Sequence, residues 1–166
     1  MVAGGCRRRV HGLAAGTLAF TICGAAIVLA QATDPAFGTW KLNVAKSTFS
    51  PGPPPKEMTA TIAPDGTGRK VSVTGLEADG TPIKWGYTAN FDREEYKLSG
   101  NNPNADVVSL RRVSANTTRA TFKLAGKETL VNGVSVSEDG KTLTVASSGV
   151  DGKGRTVKST LVFEKQ

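Results

Sequence analysis

From Ile83 to Phe91 the chain alternates: Ile83, Trp85, Tyr87, Ala89 and Phe91 are apolar, and the residues between them are polar or small. A period of two is what a strand with one buried face requires. The same alternation runs through residues 118–124 and 157–163, and shorter candidate strands cover 38–42, 58–63, 70–76, 96–99, 107–113, 129–136 and 142–147. Turn signals separate them at Asp65-Gly66, Asp79-Gly80, Asp92-Arg93, Asn101-Asn102-Pro103, Ala115-Asn116, Gly126-Lys127, Asp139-Gly140 and Asp151-Gly152. Asp-Gly is favoured there because tight hairpin turns need positive φ at their central residues. Helical periodicity is missing: residues 43–47 are good for one turn before Ser50-Pro51-Gly52-Pro53-Pro54-Pro55 stops them. The pattern therefore predicts an all-β, antiparallel up-and-down meander of about eight to ten strands, which loses its exposed edges by closing into a barrel. The proline stretch is extended and stiff, suited to crossing a barrel end or running around its outside; its alternative is a Pro-rich ligand for a partner domain. Asn132-Gly133 falls within residues 129–136 and reads as a bulge, the alternative being a turn that splits that strand.

The first 32 residues stand outside this pattern. Arg7, Arg8 and Arg9 precede an apolar run over residues 13–30, which ends in Ala30-Gln31-Ala32. Basic, apolar, then small-x-small is the order of a cleavable secretory signal. A retained anchor is the alternative, but Gly16, Thr17, Thr21, Cys23 and Gly24 dilute a run already short for a membrane-spanning helix. Cleavage after Ala32 is expected, leaving one domain over residues 33–166, exported to the periplasm or beyond the cell, with no membrane span.

Removal of that segment changes the chemistry available. Cys6, Cys23 and His11, the only cysteines and histidine of the chain, all lie within it. A Ser-His-Asp triad, a cysteine nucleophile, a His/Cys zinc site and histidine-held haem are then excluded from the mature protein. No disulfide is available, so packing alone must hold the domain together. Three of the 21 basic residues leave with the segment and none of the 14 acidic ones, so the formal charge falls from +7 to 18 − 14 = +4. That is too little for a nucleic-acid footprint, even with Arg111, Arg112, Arg119, Lys123 and Lys127 gathered in one region.

At its first strand the chain reads Gly38-Thr39-Trp40-Lys41-Leu42-Asn43. This resembles the Gly-x-Trp opening of the lipocalin and fatty-acid-binding superfamily. The wider run, through Ala45-Lys46-Ser47 and Pro53-Pro54-Pro55 to Leu161-Val162-Phe163-Glu164-Lys165, resembles small secreted bacterial lipocalin-like proteins. The resemblance implies structural roles for Gly38 and Trp40, with Trp40 closing the base of the barrel near a basic residue of the last strand, Arg155 or Lys158. The other signature segments of lipocalins are not recognisable.

Candidate site residues follow from faces. Trp85, Tyr87 and Phe91 share one face and Phe122 sits on another strand; together they line an apolar pocket or fill a closed core. Val108, Leu110 and Arg112 share a face, so Arg112 points inward as an anchor for an acidic headgroup unless a bulge or strand end redirects it; otherwise Val107, Ser109, Arg111 and Val113 form the inner face. Asn132 shares a face with Leu130 and Val134. Asp92, Glu94 and Glu95 cluster at a turn, where an acid pair performs glycoside hydrolysis if held at the right separation over a cleft and is otherwise a solvated turn. The leading expectation is a monomeric, non-enzymatic binding module for a small hydrophobic or amphipathic molecule at Trp85, Tyr87, Arg112 and Phe122. It has no catalytic residue, metal or cofactor and no nucleic-acid partner. The alternative is a filled barrel serving a structural or protein-interaction role in the cell envelope, followed by a carboxylate-based enzyme.

Overall fold

The computed structural model describes residues 34–166, all of them in a single sheet or its connections. The expected signal peptide over residues 1–32 lies outside the described residues. Eleven strands follow one another: β1 (Gly38–Leu42), β2 (Glu57–Asp65), β3 (Gly68–Leu76), β4 (Pro82–Ala89), β5 (Tyr96–Lys97), β6 (Ser99–Gly100), β7 (Val107–Ser114), β8 (Thr117–Leu124), β9 (Lys127–Val136), β10 (Thr142–Val150) and β11 (Thr156–Lys165). The one helical element among the described residues is a 3-10 turn, Val44–Lys46, capped by the Asn43 side chain.

Consecutive strands pair as antiparallel neighbours from β1 to β4 and from β7 to β11, and β11 returns to β1 through Trp40↔Lys165, Lys41↔Glu164 and Leu42↔Phe163. The two ends of the strand order are β5 and β6, which only Leu98 separates in the chain. β5 pairs with β7 at Tyr96↔Val108, and β6 pairs with β4 at Trp85↔Gly100. Residues 96–100 thus bridge the gap between β4 and β7, and the meander closes into an up-and-down barrel. The excess over eight to ten strands is these two short pieces, where one strand hands its hydrogen bonds from one neighbour to the other.

After the 3-10 turn the chain resumes its pairing with β11, through a Thr48↔Thr160 bridge and the Lys158 amide donating to the Ser50 carbonyl. The turn is therefore an excursion from one long edge, and the prolines follow it. Lys56 then donates to the Leu76 carbonyl and β2 begins.

The inner wall repeats the alternation seen in the sequence. Trp40 and Leu42 on β1, Ala60 and Ile62 on β2, Val71 and Val73 on β3, and Ile83, Tyr87 and Ala89 on β4 are all buried, as are Val108, Leu110, Ala120 and Phe122 across from them. Trp40 is fully buried; its Nε1 donates to the Ala36 carbonyl at 2.8 Å and the Lys165 Nζ lies 5.0 Å from its ring centroid. The cation on Trp40 is thus Lys165, not Arg155 or Lys158. Register decides this, since Lys165 is paired with Trp40, whereas Lys158 is seven residues away along β11 and Arg155 is held in the β10–β11 turn by Asp151. Gly38 sits at φ +136°, where a side chain is strained, and a Cβ there would lie 2.9 Å from Lys165 Cε.

β9 runs unbroken through Asn132-Gly133, which pair in register with Ala120 and Arg119. The irregularity expected at that dipeptide lies instead between Thr121 and Lys123 of β8, which face Val131 and Glu128. The extra β9 residue sits beside Leu130, and Gly149 opposite Leu130 takes φ +138°, where any Cβ would collide with the Thr129 carbonyl.

Candidate functional site

The aromatic residues chosen from the sequence converge. Trp85 and Tyr87 are 6.5 Å apart and nearly parallel (21°), and Phe122 meets both edge-on at 6.3 and 6.4 Å. Trp85 and Tyr87 share a face because they are two apart on β4; Phe122 reaches them from β8 because closure through residues 96–100 brings the two halves of the barrel together. Centroid distances of this size are those that aromatic pairs prefer. Tyr87 and Phe122 are buried, and Trp85 remains half-buried.

The interior is not uniform. On β1–β4, β7 and β8 most inward side chains are buried, but Leu130 and Val134 on β9, Val145 on β10, Leu161 on β11 and Met58 on β2 are only half-buried against the core. A polar row crosses this same half, because Asn132, Ser147 and Ser159 are direct register partners on β9, β10 and β11. Ser159 is engaged with Ser50, accepting from its amide at 3.0 Å and donating to its carbonyl at 3.1 Å. The Asn132 Oδ1 is buried and has no hydrogen-bond partner among the described residues.

Arg112 is not part of this interior. Val108 and Leu110 are buried as the face argument required, but the β7–β8 register shifts between Arg112 and Ser114 and the strand ends there. The Arg112 side chain is 37% exposed, its Nη2 is 2.7 Å from the Asp34 carboxylate, and its guanidinium lies 4.1 Å from the Phe91 centroid. The strand end redirects it to the rim, so the inward anchor expected at Arg112 is corrected.

The buried cation is Arg69, at the start of β3, 1% exposed. Its Nε and Nη1 find no hydrogen-bond partner among the described residues, and its guanidinium lies 5.3 Å from the Phe91 centroid. The four ion pairs among the described residues join Lys46 to Glu164, Arg112 to Asp34, Lys123 to Glu95 and Arg155 to Asp151, leaving Arg69 without a carboxylate. Burial pushes the Tyr87 phenol above its ordinary value, and the neighbouring Arg69 pulls against that shift. Tyr87 is thus a neutral hydroxyl that does not offset the Arg69 charge. Arg69 shares a face with Val71 and Val73, so the rule that selected Arg112 from Val108 and Leu110 also selects Arg69; beginning the strand at Lys70 conceals it.

Two members of the acidic cluster are held by neighbouring groups. Asp92 accepts from the Tyr96 hydroxyl at 2.6 Å and the Glu94 amide at 3.0 Å, while Glu95 holds Lys123. Among the described residues no group of three or more His, Cys, Asp or Glu is placed to hold a metal ion, and no helix is long and apolar enough to cross a membrane.

Two depressions lie on the outside of the barrel. One, about 480 Å³, crosses β1–β3 between Thr39, Lys41, Glu57, Thr59 and Thr74 and reaches Gln166; the other, about 140 Å³, lies among Arg93, Ser109, Arg111, Arg119 and Thr121.

Fold and wall together define an antiparallel up-and-down β-barrel with one well-buried half and one half-buried, polar-marked half. No protein-family model matches the chain, and no curated protein does. Among solved structures, zebrafish ileal bile acid-binding protein complexed with cholic acid is similar over 80% of this chain and 99% of that one, at 11% sequence identity and a TM-score of 0.46.

Proposed function

We propose that the protein is a non-enzymatic binding module that takes a small hydrophobic or amphipathic molecule into its barrel, as a monomer in the periplasm or outside the cell. The observation that carries this reading is the wall of β9–β11. Leu130, Val134, Val145 and Leu161 face inward yet stay half-buried, opposite a half-buried Trp85 and its partners Tyr87 and Phe122. Apolar surface left accessible inside a closed sheet is what a small-ligand site offers, with a few polar groups to fix orientation. The export half of the proposal rests on the basic, apolar and Ala-x-Ala order of residues 1–32.

Trp85 supplies the test. A neutral apolar probe, N-phenyl-1-naphthylamine, is titrated into the protein while tryptophan emission and probe emission are followed. Saturable quenching of Trp85 with a matching rise in probe emission is expected. A strictly linear response in both channels contradicts interior binding.

The outer groove across β1–β3 favours a second reading, a protein-interaction barrel whose outside meets a partner. It requires Lys41→Glu and Thr59→Arg to abolish capture of one stoichiometric partner from the envelope while leaving probe binding intact.

A further inference from the structure

The smaller depression on the outer wall is lined by three arginines and no carboxylate: Arg93, Arg111 and Arg119 surround about 140 Å³ together with Ser109, Thr121 and Leu110. Two cross-strand pairs of β7 and β8 build it, Arg111 facing Arg119 and Ser109 facing Thr121. Like charges placed directly opposite on one sheet face are destabilising. Arg93 joins them from the turn after β4. It stands in the left-handed region at φ +72°, a costly conformation for a residue other than glycine, and its amide donates to the Leu110 carbonyl at 3.1 Å, which fastens it to the edge of β7. On β9 the register partner of Arg119 is Gly133, so no side chain covers the arginines from that side.

The nearby acids are committed elsewhere. Asp34 holds Arg112, Glu95 holds Lys123, and Asp92 accepts from the Tyr96 hydroxyl and the Glu94 amide. Glu94 follows Arg93 in the chain but does not line the depression. None of the three arginines makes an ion pair among the described residues. Of the basic residues gathered over 111–127, Arg111 and Arg119 thus keep an uncompensated charge, and the fold adds Arg93 to them.

We propose that this depression is an anion site for a phosphate monoester group. Guanidinium groups bond tetrahedral oxyanions through paired N–H donors, and the Ser109 and Thr121 hydroxyls add neutral donors. A dianion offsets three cations better than the single charge of a phosphodiester or a sulfate ester does. The site lies outside the barrel and is independent of interior binding. It can take the group from a soluble ester or from a lipid headgroup.

The test is a magnetic resonance titration of the intact protein at constant ionic strength and about pH 7.5, where a phosphate monoester is mostly dianionic. Methyl phosphate is expected to give saturable shifts of the Arg93, Arg111 and Arg119 side-chain N–H signals and to bind about 3- to 10-fold tighter than dimethyl phosphate. Arg119→Gln is expected to weaken methyl phosphate about 3- to 10-fold, whereas Lys70→Gln, which removes an exposed charge from β3, leaves it unchanged. Arg119→Gln also relieves the repulsion from Arg111, so its urea midpoint without ligand is expected to stay level or rise, which shows that the variant folds. Sedimentation with phosphatidylcholine vesicles separates the two sources. Stronger capture by vesicles carrying phosphatidic acid than by those carrying the same content of phosphatidylglycerol supports a lipid headgroup, and methyl phosphate binding without that preference supports a soluble ester. Shifts that stay linear in methyl phosphate, equal binding of dimethyl phosphate, or an equal loss in Lys70→Gln and Arg119→Gln overturns the proposal and leaves the interior reading untouched.

Discussion

Trp40→Phe removes the most fully buried aromatic side chain of β1 and keeps an aromatic ring in its place. Three contributions follow from the contacts. The Ala36 carbonyl, in a buried residue, loses the 2.8 Å hydrogen bond from Nε1, and leaving a buried acceptor unpaired costs about 1–3 kcal/mol. The smaller ring leaves roughly 40 Å³ unfilled, which at about 24 cal/mol per Å³ costs close to 1 kcal/mol. The Lys165 cation at 5.0 Å keeps a π face, so the exposed-site cation–π contribution of about 0.5–1 kcal/mol is weakened but not lost. Together the variant is expected to lose about 2–4 kcal/mol, several times the effect of an ordinary surface substitution. Urea unfolding followed by far-ultraviolet circular dichroism measures this, and a slope near 2 kcal/mol per M places the midpoint about 1–2 M lower. The chain has two tryptophans, so the variant also leaves Trp85 as the sole indole reporter of the interior. A loss below about 0.5 kcal/mol refutes the energetic weight given to the Trp40 hydrogen bond and packing.

Lys165→Met is expected to cost about 0.5–1 kcal/mol through the lost cation–π contact, whereas Lys158→Met, remote from the indole, leaves the urea midpoint unchanged. Arg112→Ala is expected to cost about 0.5–1 kcal/mol, less at high salt because the pair with Asp34 is part-exposed, and to leave probe binding by Trp85 fluorescence intact; a large loss of binding restores Arg112 as the anchor. Asp151 is held below the usual carboxylate range by the Arg155 amide, Asp92 by the Tyr96 hydroxyl and Glu164 by Lys46. A depressed folded value stabilises above the unfolded pKa and is lost as pH falls through the folded one, so urea midpoints should be flat through mild acid and drop below about pH 4. Tyr87, raised by burial, and Lys123, raised by Glu95, each bind protons more tightly when folded, so the midpoints should also fall above about pH 10.

The legible parts of the fold are those with a strong local signal. Alternation at residues 83–91 marks β4 and its inner face correctly down to Ala89, and the Asp-Gly pairs at 65–66, 79–80, 139–140 and 151–152 each fall in a turn or at a strand's end. Closure through residues 96–100 is not legible, because a segment that pairs half with β7 and half with β4 has no distinctive pattern of its own. The aromatic cluster is half legible: Trp85 and Tyr87 share a strand, but only closure brings Phe122 to them. The contrast between Arg112 and Arg69 shows where a face rule stops. Both follow an i, i+2 series with buried valine or leucine, yet Arg112 ends a strand at a register shift and bends to Asp34, whereas Arg69 opens one beside a tight turn, with Gly68 packed against the Ala89 carbonyl. Which end of a strand lies at the rim is set by the stagger of the whole barrel, which is a property of all its strands at once.

Interior space is the claim on which the functional reading turns, and crystals pressurised under xenon measure it directly, since dry apolar cavities take up that gas. Xenon is expected within the barrel beside Leu130, Val134, Val145 and Leu161. Crystals that diffract well, take up xenon elsewhere and hold none within the barrel would contradict the account and leave only the outer surface to carry function.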